Sequence, residues 1–258
     1  MVKLSTMANV ALRSLFLEAS WNPGGQQNLG LAAAIDPALK AIYGAGERLR
    51  EARLRSLDFF NTNPIASGLA IGIAIKLEES VAAGEMEISE RDRGLAAMNQ
   101  ALAAVGDAFF WQSWLPLCSL ITVWAVLSMA EVWWTPMLLP IIFCSLACPA
   151  RFAGLCLGYR RGQAVYDLLV RLKINILVHN LKRAMALLAG VSTVVLAATR
   201  TDALAEESLL MLWLTMAIVV ASVMGLRFLA AKARLLHYWY PLLVVALAAI
   251  VVTALGQD

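Results

Sequence analysis

Asp107, Trp111 and Trp114 stand at i, i+4 and i+7, a spacing that puts one carboxylate and two indoles on one face of an α-helix. A carboxylate accepts hydrogen bonds, and an indole offers a flat apolar surface beside it. An acid at the entrance of an apolar run is costly unless it is paired or lines a polar cavity. The same residues also read as an N-cap acid followed by tryptophans of an interfacial belt, and both readings stay open. A second polar set lies upstream: Trp21 and Asn22, Gln27 and Asn28, then Asn61, Thr62 and Asn63. Amides of this kind can hold hydroxyl groups. The run 61–64 (NTNP) is also an ordinary turn signal, and each residue taken alone fits a structural role.

The remaining reactive side chains exclude more than they suggest. His179 and His237 are the only histidines, which removes multi-histidine metal sites. Cys144 and Cys148 are spaced i,i+4 in an apolar run with no His or carboxylate nearby. With Cys118 and Cys156 they read as small packing residues. Gly24-Gly25 and the Gly44/Gly46 pair lack the GxxxxGK[ST] form of a phosphate loop. No nucleophile–base pair is visible, and no cofactor or metal is expected.

The elements that must carry these residues follow from composition. Of 258 residues 60% are hydrophobic and only 15% charged, too apolar for an ordinary soluble chain. A net charge of +3 gives no reason to expect a nucleic acid as partner. The class left is an all-α integral membrane protein. Twelve of the 18 acids fall in residues 1–107, read as a cytoplasmic or interfacial N-terminal part. Within it, Pro37 opens an amphipathic stretch (38–60) with Arg48, Arg50, Arg53 and Arg55 on a solvated or headgroup-facing side. The apolar run 65–75 is too short to span, so it is a buried core helix or a re-entrant segment. Its Gly68 and Gly72 permit close approach to a neighbouring backbone. Residues 77–94 are acidic and soluble in character.

Residues 108–258 form the transmembrane part. Uncharged runs at 112–130, 132–150, 184–199, 208–226 and 235–257 predict about five crossings, membrane lipids being their solvent. The run 184–199 is short unless Leu181, Lys182 and Arg183 extend it. The connections 159–183 and 227–234 are basic, so they are placed inside, with the N-terminus cytoplasmic and the C-terminus outside. Trp133, Trp134, Trp213, Tyr238, Trp239 and Tyr240 fall near span ends, where aromatic belts sit.

Five ordered blocks add a more specific signal: RSLFLEASWN at 13–22, QQNLG at 26–30, PALK at 37–40, FFNTNP at 59–64 and VGDAFFW at 105–111, with Arg151 followed by LGY at 157–159 and Gly162 as a further segment. In this order they resemble the IID subunit of the mannose/fructose/sorbose-family phosphotransferase-system permeases, over nearly the whole chain. Asn63 stands where the family has a histidine. Residues 98–107 (MNQALAAVGD) lack the family's Gly-Pro, which predicts a more regular helix there.

The resemblance implies a subunit that pairs with IIC as a hetero-oligomer in the bacterial inner membrane, forming a channel for a hexose-type sugar. Soluble IIA and IIB phosphocarriers would supply the phosphoryl group, so this subunit is not by itself the catalyst. For a sugar ligand the residue types give a candidate site at Asp107 and Trp111, with Asn61, Asn63, Trp21, Asn22, Gln27 and Asn28 as further candidates. The basic connection 159–183 reads either as a dock for the phosphocarrier or as positive-inside topology with headgroup contacts. A degenerate homologue with a sensing or regulatory role is the alternative. A membrane enzyme on the same fold is the weakest reading, for want of a nucleophile or metal cluster.

Overall fold

Ser67 to Ile75 is a run of small and aliphatic residues, and every one of them is buried in the helix they form. The computed structural model describes residues 2–128, 133–171 and 173–200. The chain divides into one compact unit at Met1–Gly190 and another at Val191–Asp258. The expected spans 208–226 and 235–257, the connection 227–234 and His237 lie outside the described residues.

The described chain is helical: α1 (Leu4–Ser14), α2 (Asn28–Tyr43), α3 (Glu47–Arg55), α4 (Ser67–Ala82), α5 (Ile88–Gly106), a π-helical segment (Asp107–Trp114), α6 (Leu115–Ser128), α7 (Leu138–Arg161), α8 (Val165–Arg171) and α9 (Ile174–Arg200). Among the described residues no β-strand occurs, only isolated bridges pairing Asn22 with Gln26 and Gln26 with Phe60.

Two described helical runs are long and apolar enough to cross a bilayer, Ile88–Val126 and Thr135–Arg171. They contain most of the expected spans 112–130 and 132–150 but begin or end well outside them. Leu95, Met98 and Leu102 keep a buried face at helical spacing before Asp107, so the first helix starts far upstream of its uncharged part. The connection 159–183 is likewise not an open loop. It comprises the end of α7, the short α8 and the start of α9, turned at Gly162 (φ 55°) and Lys173 (φ 47°). The run 184–199 belongs to a helix of 27 residues that begins inside this basic stretch.

The N-terminal third departs from its sequence reading in three places. Pro37 does not open a helix; it lies inside α2. Its missing N–H leaves the Ala33 carbonyl without an intrahelical donor, and the Arg13 guanidinium donates to that oxygen at 3.2 Å. The stretch 38–60 is not one amphipathic helix, because Gly44 (φ 71°) and Gly46 (φ 109°) separate α2 from α3. Residues 77–94 are not uniformly solvated. Glu78 is fully buried and takes two cations, Arg55 Nη2 at 3.0 Å and Arg91 Nη2 at 2.9 Å. The Tyr43 hydroxyl donates to Glu78 at 2.7 Å. Burial first, and the neighbouring Glu78 carboxylate second, hold that hydroxyl well above the ordinary phenol range, so it stays a donor.

Helix α4 packs most extensively on α7, and the contact is backbone on backbone. Gly68 and Gly72 of α4 face Gly154 and Gly158 of α7. A methyl at Gly68 would lie 1.9 Å from the Arg151 carbonyl oxygen, one at Gly72 2.3 Å from that of Leu155, and one at Gly158 2.2 Å from that of Leu69. At Gly68, Gly72 and Gly158 there is no room even for a methyl group, while Gly154 packs on Leu69. Small-residue seams of this kind let helices associate by close packing where apolar surroundings supply no hydrophobic drive.

Gly68→Ala, Gly72→Ala and Gly158→Ala are therefore each expected to destabilise the fold by about 1–3 kcal/mol, the usual cost of overpacking. A methyl added at Gly190 would meet nothing within 4 Å. Gly190→Ala should be neutral or stabilising by about 0.5–1 kcal/mol through helix propensity. Thermal unfolding of the four variants in detergent checks the contrast.

Candidate functional site

The blocks at 13–22, 26–30, 59–64 and 105–111 meet Arg151 in one polar node at the N-terminus of α4, whereas Tyr159 lies beside Glu79 and Gly162 beside Lys76. Arg151 of α7 reaches it from the middle of an apolar helix, donating one Nη to the Pro64 carbonyl and the other to the Ser14 carbonyl at the end of α1. Gly30 of α2 lies directly on the Leu17 carbonyl, where a methyl would come within 2.0 Å. Gly106 fits against the Asn63 side chain, 2.4 Å from where its methyl would be. Close backbone approach explains why both positions are glycine.

Most of the amides at the node are occupied by the chain itself. Gln27 accepts from the Thr62 N–H at 2.9 Å and donates to the Thr62 carbonyl at 2.8 Å, with a further bond to Glu18 at 2.6 Å. Asn22 accepts from the Gly25 N–H at 2.7 Å and donates to Asn28 at 3.0 Å. Asn28 in turn donates to the Leu57 carbonyl at 2.6 Å. These bonds pin the loop after α1 to the turn before α4. Gln27, Asn22 and Asn28 thus act as structural clamps, with their polar atoms already satisfied.

Asn63 is buried and bridges two elements. Its Oδ1 accepts from the N–H groups of Ile65 at 3.0 Å and Ala66 at 3.3 Å, turning the chain into α4. Its Nδ2 donates to Asp107 Oδ1 at 2.8 Å. Asp107 is not an N-cap, because the helix runs through it with φ −65° and ψ −44°. It is half-buried, and its second oxygen accepts no hydrogen bond among the described residues.

The three-residue face of Asp107, Trp111 and Trp114 is remodelled by the π-helical turn. Within the wider turn the Ser113 hydroxyl donates to the Ala108 carbonyl at 2.8 Å, and Pro116 beyond it has no N–H for the Gln112 carbonyl. The stretch 98–106 is an uninterrupted helix, so the irregularity falls just after the place where the family has Gly-Pro. Both tryptophans turn toward α7. Trp111 stacks on Phe143 with ring centroids 5.9 Å apart, and Trp114 donates to the Phe143 carbonyl at 3.4 Å. Asp107 turns toward Asn63 instead. Trp111 keeps 39% and Trp21 53% of its surface exposed. Asn61 is exposed and has no hydrogen-bond partner among the described residues.

Arg151 and Glu18 do not stand out as site residues by chemistry, although a lone charge within an apolar run is the signal that finds Arg151. His179 is exposed on α9, away from the node. Among the described residues no group of three His, Cys, Asp or Glu could hold a metal ion.

Two helical runs long and apolar enough to cross a bilayer, packed against a polar node, are the architecture of a helical membrane protein. The family described as the PTS system mannose/fructose/sorbose family IID component matches residues 2–256, and the chain belongs to that family. It is 30% identical over 160 residues to the mannose-specific EIID component of Escherichia coli (strain K12), which covers 61% of this chain and 56% of that relative. It is 31% identical over 151 residues to the sorbose-specific EIID component of Lacticaseibacillus casei, covering 58% and 53%. The chain spans about half the length of the curated relatives it matches. Its fold is similar to a structure of the mannose transporter ManYZ in complex with microcin E492, with TM-score 0.57 and 26% identity over 74% of this chain and 70% of that one. A further structure, described as a membrane protein, gives TM-score 0.66 at 25% identity over 73% and 69%.

The Asn63–Asp107 bond is expected to couple the two residues strongly, because it is charge-assisted and its donor is buried. A double-mutant cycle with Asn63→Ala and Asp107→Ala should give about 1.5–3 kcal/mol. Asp107→Asn, which keeps an acceptor for Asn63, should lose much less. Unfolding midpoints of the full chain measure all three.

Proposed function

We propose that this chain, with a IIC-type membrane subunit, forms the sugar-translocating channel of a mannose-family phosphotransferase system in the bacterial inner membrane. Soluble IIA and IIB subunits pass a phosphoryl group to a hexose as it emerges, and this chain contributes binding and passage rather than phosphoryl transfer. The N-terminus is cytoplasmic and the C-terminus outside, as the basic connections favour. Family membership supports the role, and so does the likeness to a mannose transporter.

The observation that carries the site is which polar groups folding leaves open. Gln27, Asn22 and Asn28 are saturated by the chain, whereas the second oxygen of Asp107 and the Asn61 amide are not. Asn63 ties the two segments together, two residues from Asn61. Sugar hydroxyls would donate to Asp107 and exchange hydrogen bonds with Asn61, while an exposed indole, Trp21 or Trp111, covers the apolar side of the ring.

Uptake of labelled hexose by cells carrying the partner subunits tests this reading. Asp107→Ala should lower uptake roughly 10- to 150-fold, the equivalent of one charge-assisted hydrogen bond, with subunit levels held near normal. Asn61→Ala should lower it several-fold. Gln27→Ala should instead reduce the amount of folded subunit. Unchanged uptake in both Asp107→Ala and Asn61→Ala would reject the site.

A further inference from the structure

A cavity of about 660 Å³ opens between α4, α5, the π-helical segment, α7 and α9. Its wall is apolar, built from Leu102, Val105, Phe109, Phe110, Leu157 and Leu177. Asp107 and the tryptophans do not line it. Arg160 is the single charged residue that does, exposed at the end of α7 and without an ion-pair partner among the described residues. Along α7 the lining runs from Ala150 to Arg160, a rise of about 15 Å at the helical repeat. That is the depth of one leaflet of a hydrocarbon core about 30 Å thick.

A second cavity of about 260 Å³ shares Val105, Leu169 and Ile174 with the first and adds Tyr166, Lys173 and Asn175. Lys173 is exposed at the left-handed turn between α8 and α9 and also lacks an ion-pair partner among the described residues. The two cavities adjoin through these shared walls, and each carries one cation without an ion-pair partner among the described residues, Arg160 in the first and Lys173 in the second. The volume of the first lies within the range of small-ligand sites.

We propose that this groove is a binding site for one anionic phospholipid, with an acyl chain along the apolar wall and the phosphate between Arg160 and Lys173. The apolar depth selects a lipid over a soluble anion, and the paired cations select an anionic over a zwitterionic headgroup. The proposal does not rest on the sugar reading: Arg160 and Lys173 lie outside the polar node, although Ile65, Ala66 and Gly106 of that node reach the cavity wall.

The test is native mass spectrometry of the full chain, purified with its membrane partner and titrated with phosphatidylglycerol or phosphatidylcholine. One phosphatidylglycerol should be retained about 30-fold better than phosphatidylcholine, the value of two cations at an anionic headgroup. The double variant Arg160→Gln, Lys173→Gln should bring the two lipids within about twofold, and Arg160→Lys should retain the preference. Val105→Trp, which fills the groove, should lower retention of both. Equal retention of the two lipids by the unmodified protein, or an unchanged preference in the double Gln variant, would overturn the proposal. So would displacement of the lipid by inorganic phosphate alone. A photo-crosslinker at Phe109 in native membranes should yield lipid adducts, and a polypeptide adduct in their place would assign the groove to a partner helix instead.

Discussion

The approach of α4 to α7 through four glycines is the constraint on which the rest of the unit depends. With Gly68 and Gly72 against Gly154 and Gly158, carbonyl oxygens of one helix occupy the space where methyl groups of the other would be. Two helices this close cannot slide without collision, so their register is fixed. That register sets Arg151, one turn before Gly154, beside the start of α4. It sets Tyr159 beside Glu79 near the other end, where the hydroxyl donates to the carboxylate at 2.6 Å. A charged side chain in an apolar helix becomes tolerable because the seam delivers it to carbonyls that need a donor.

The polar node follows from that placement. Arg151 bonds carbonyls at the end of α1 and before α4, so three chain segments meet at one guanidinium. Asn63 then joins this junction to Asp107, midway along the first long helical run. The node resembles a binding site in composition, yet most of its amides serve as mortar between loops. Its chemical capacity is narrower than its residue list: one carboxylate oxygen, one amide and the exposed indoles.

At the far end of α4 a different economy holds. Glu78 is surrounded by Arg55, Arg91 and the Tyr43 hydroxyl, joining α2, α3 and α5 around one buried carboxylate. Removing either arginine would take away a charge partner of Glu78, and removing the Tyr43 hydroxyl would take away a hydrogen-bond donor, in a water-poor setting; such clusters favour one arrangement of the elements more than they add stability. The N-terminal third is thus a packed helical assembly anchored at both ends of α4.

Much of this was legible in the sequence. Composition made the chain a helical membrane protein, five ordered blocks gave the family, and Gly68 and Gly72 announced a close helix contact. The sequence could not say with what. Glycine spacing reports that a backbone must come near, whereas Gly154 and Gly158 become its partners only once α7 is laid against α4. Length and charge located the cores of the two long helices but not their ends, because the buried face at Leu95, Met98 and Leu102 continues the first one past the charged residues. Pro37 reads as a helix start because the donor that rescues the Ala33 carbonyl, Arg13, lies on another helix. Side-chain type alone determined which residues were able to bind a hydroxyl. Only the tertiary structure decided which of them still can, since a hydrogen-bonding group is available to a ligand only when no neighbour, however distant in the chain, has already satisfied it.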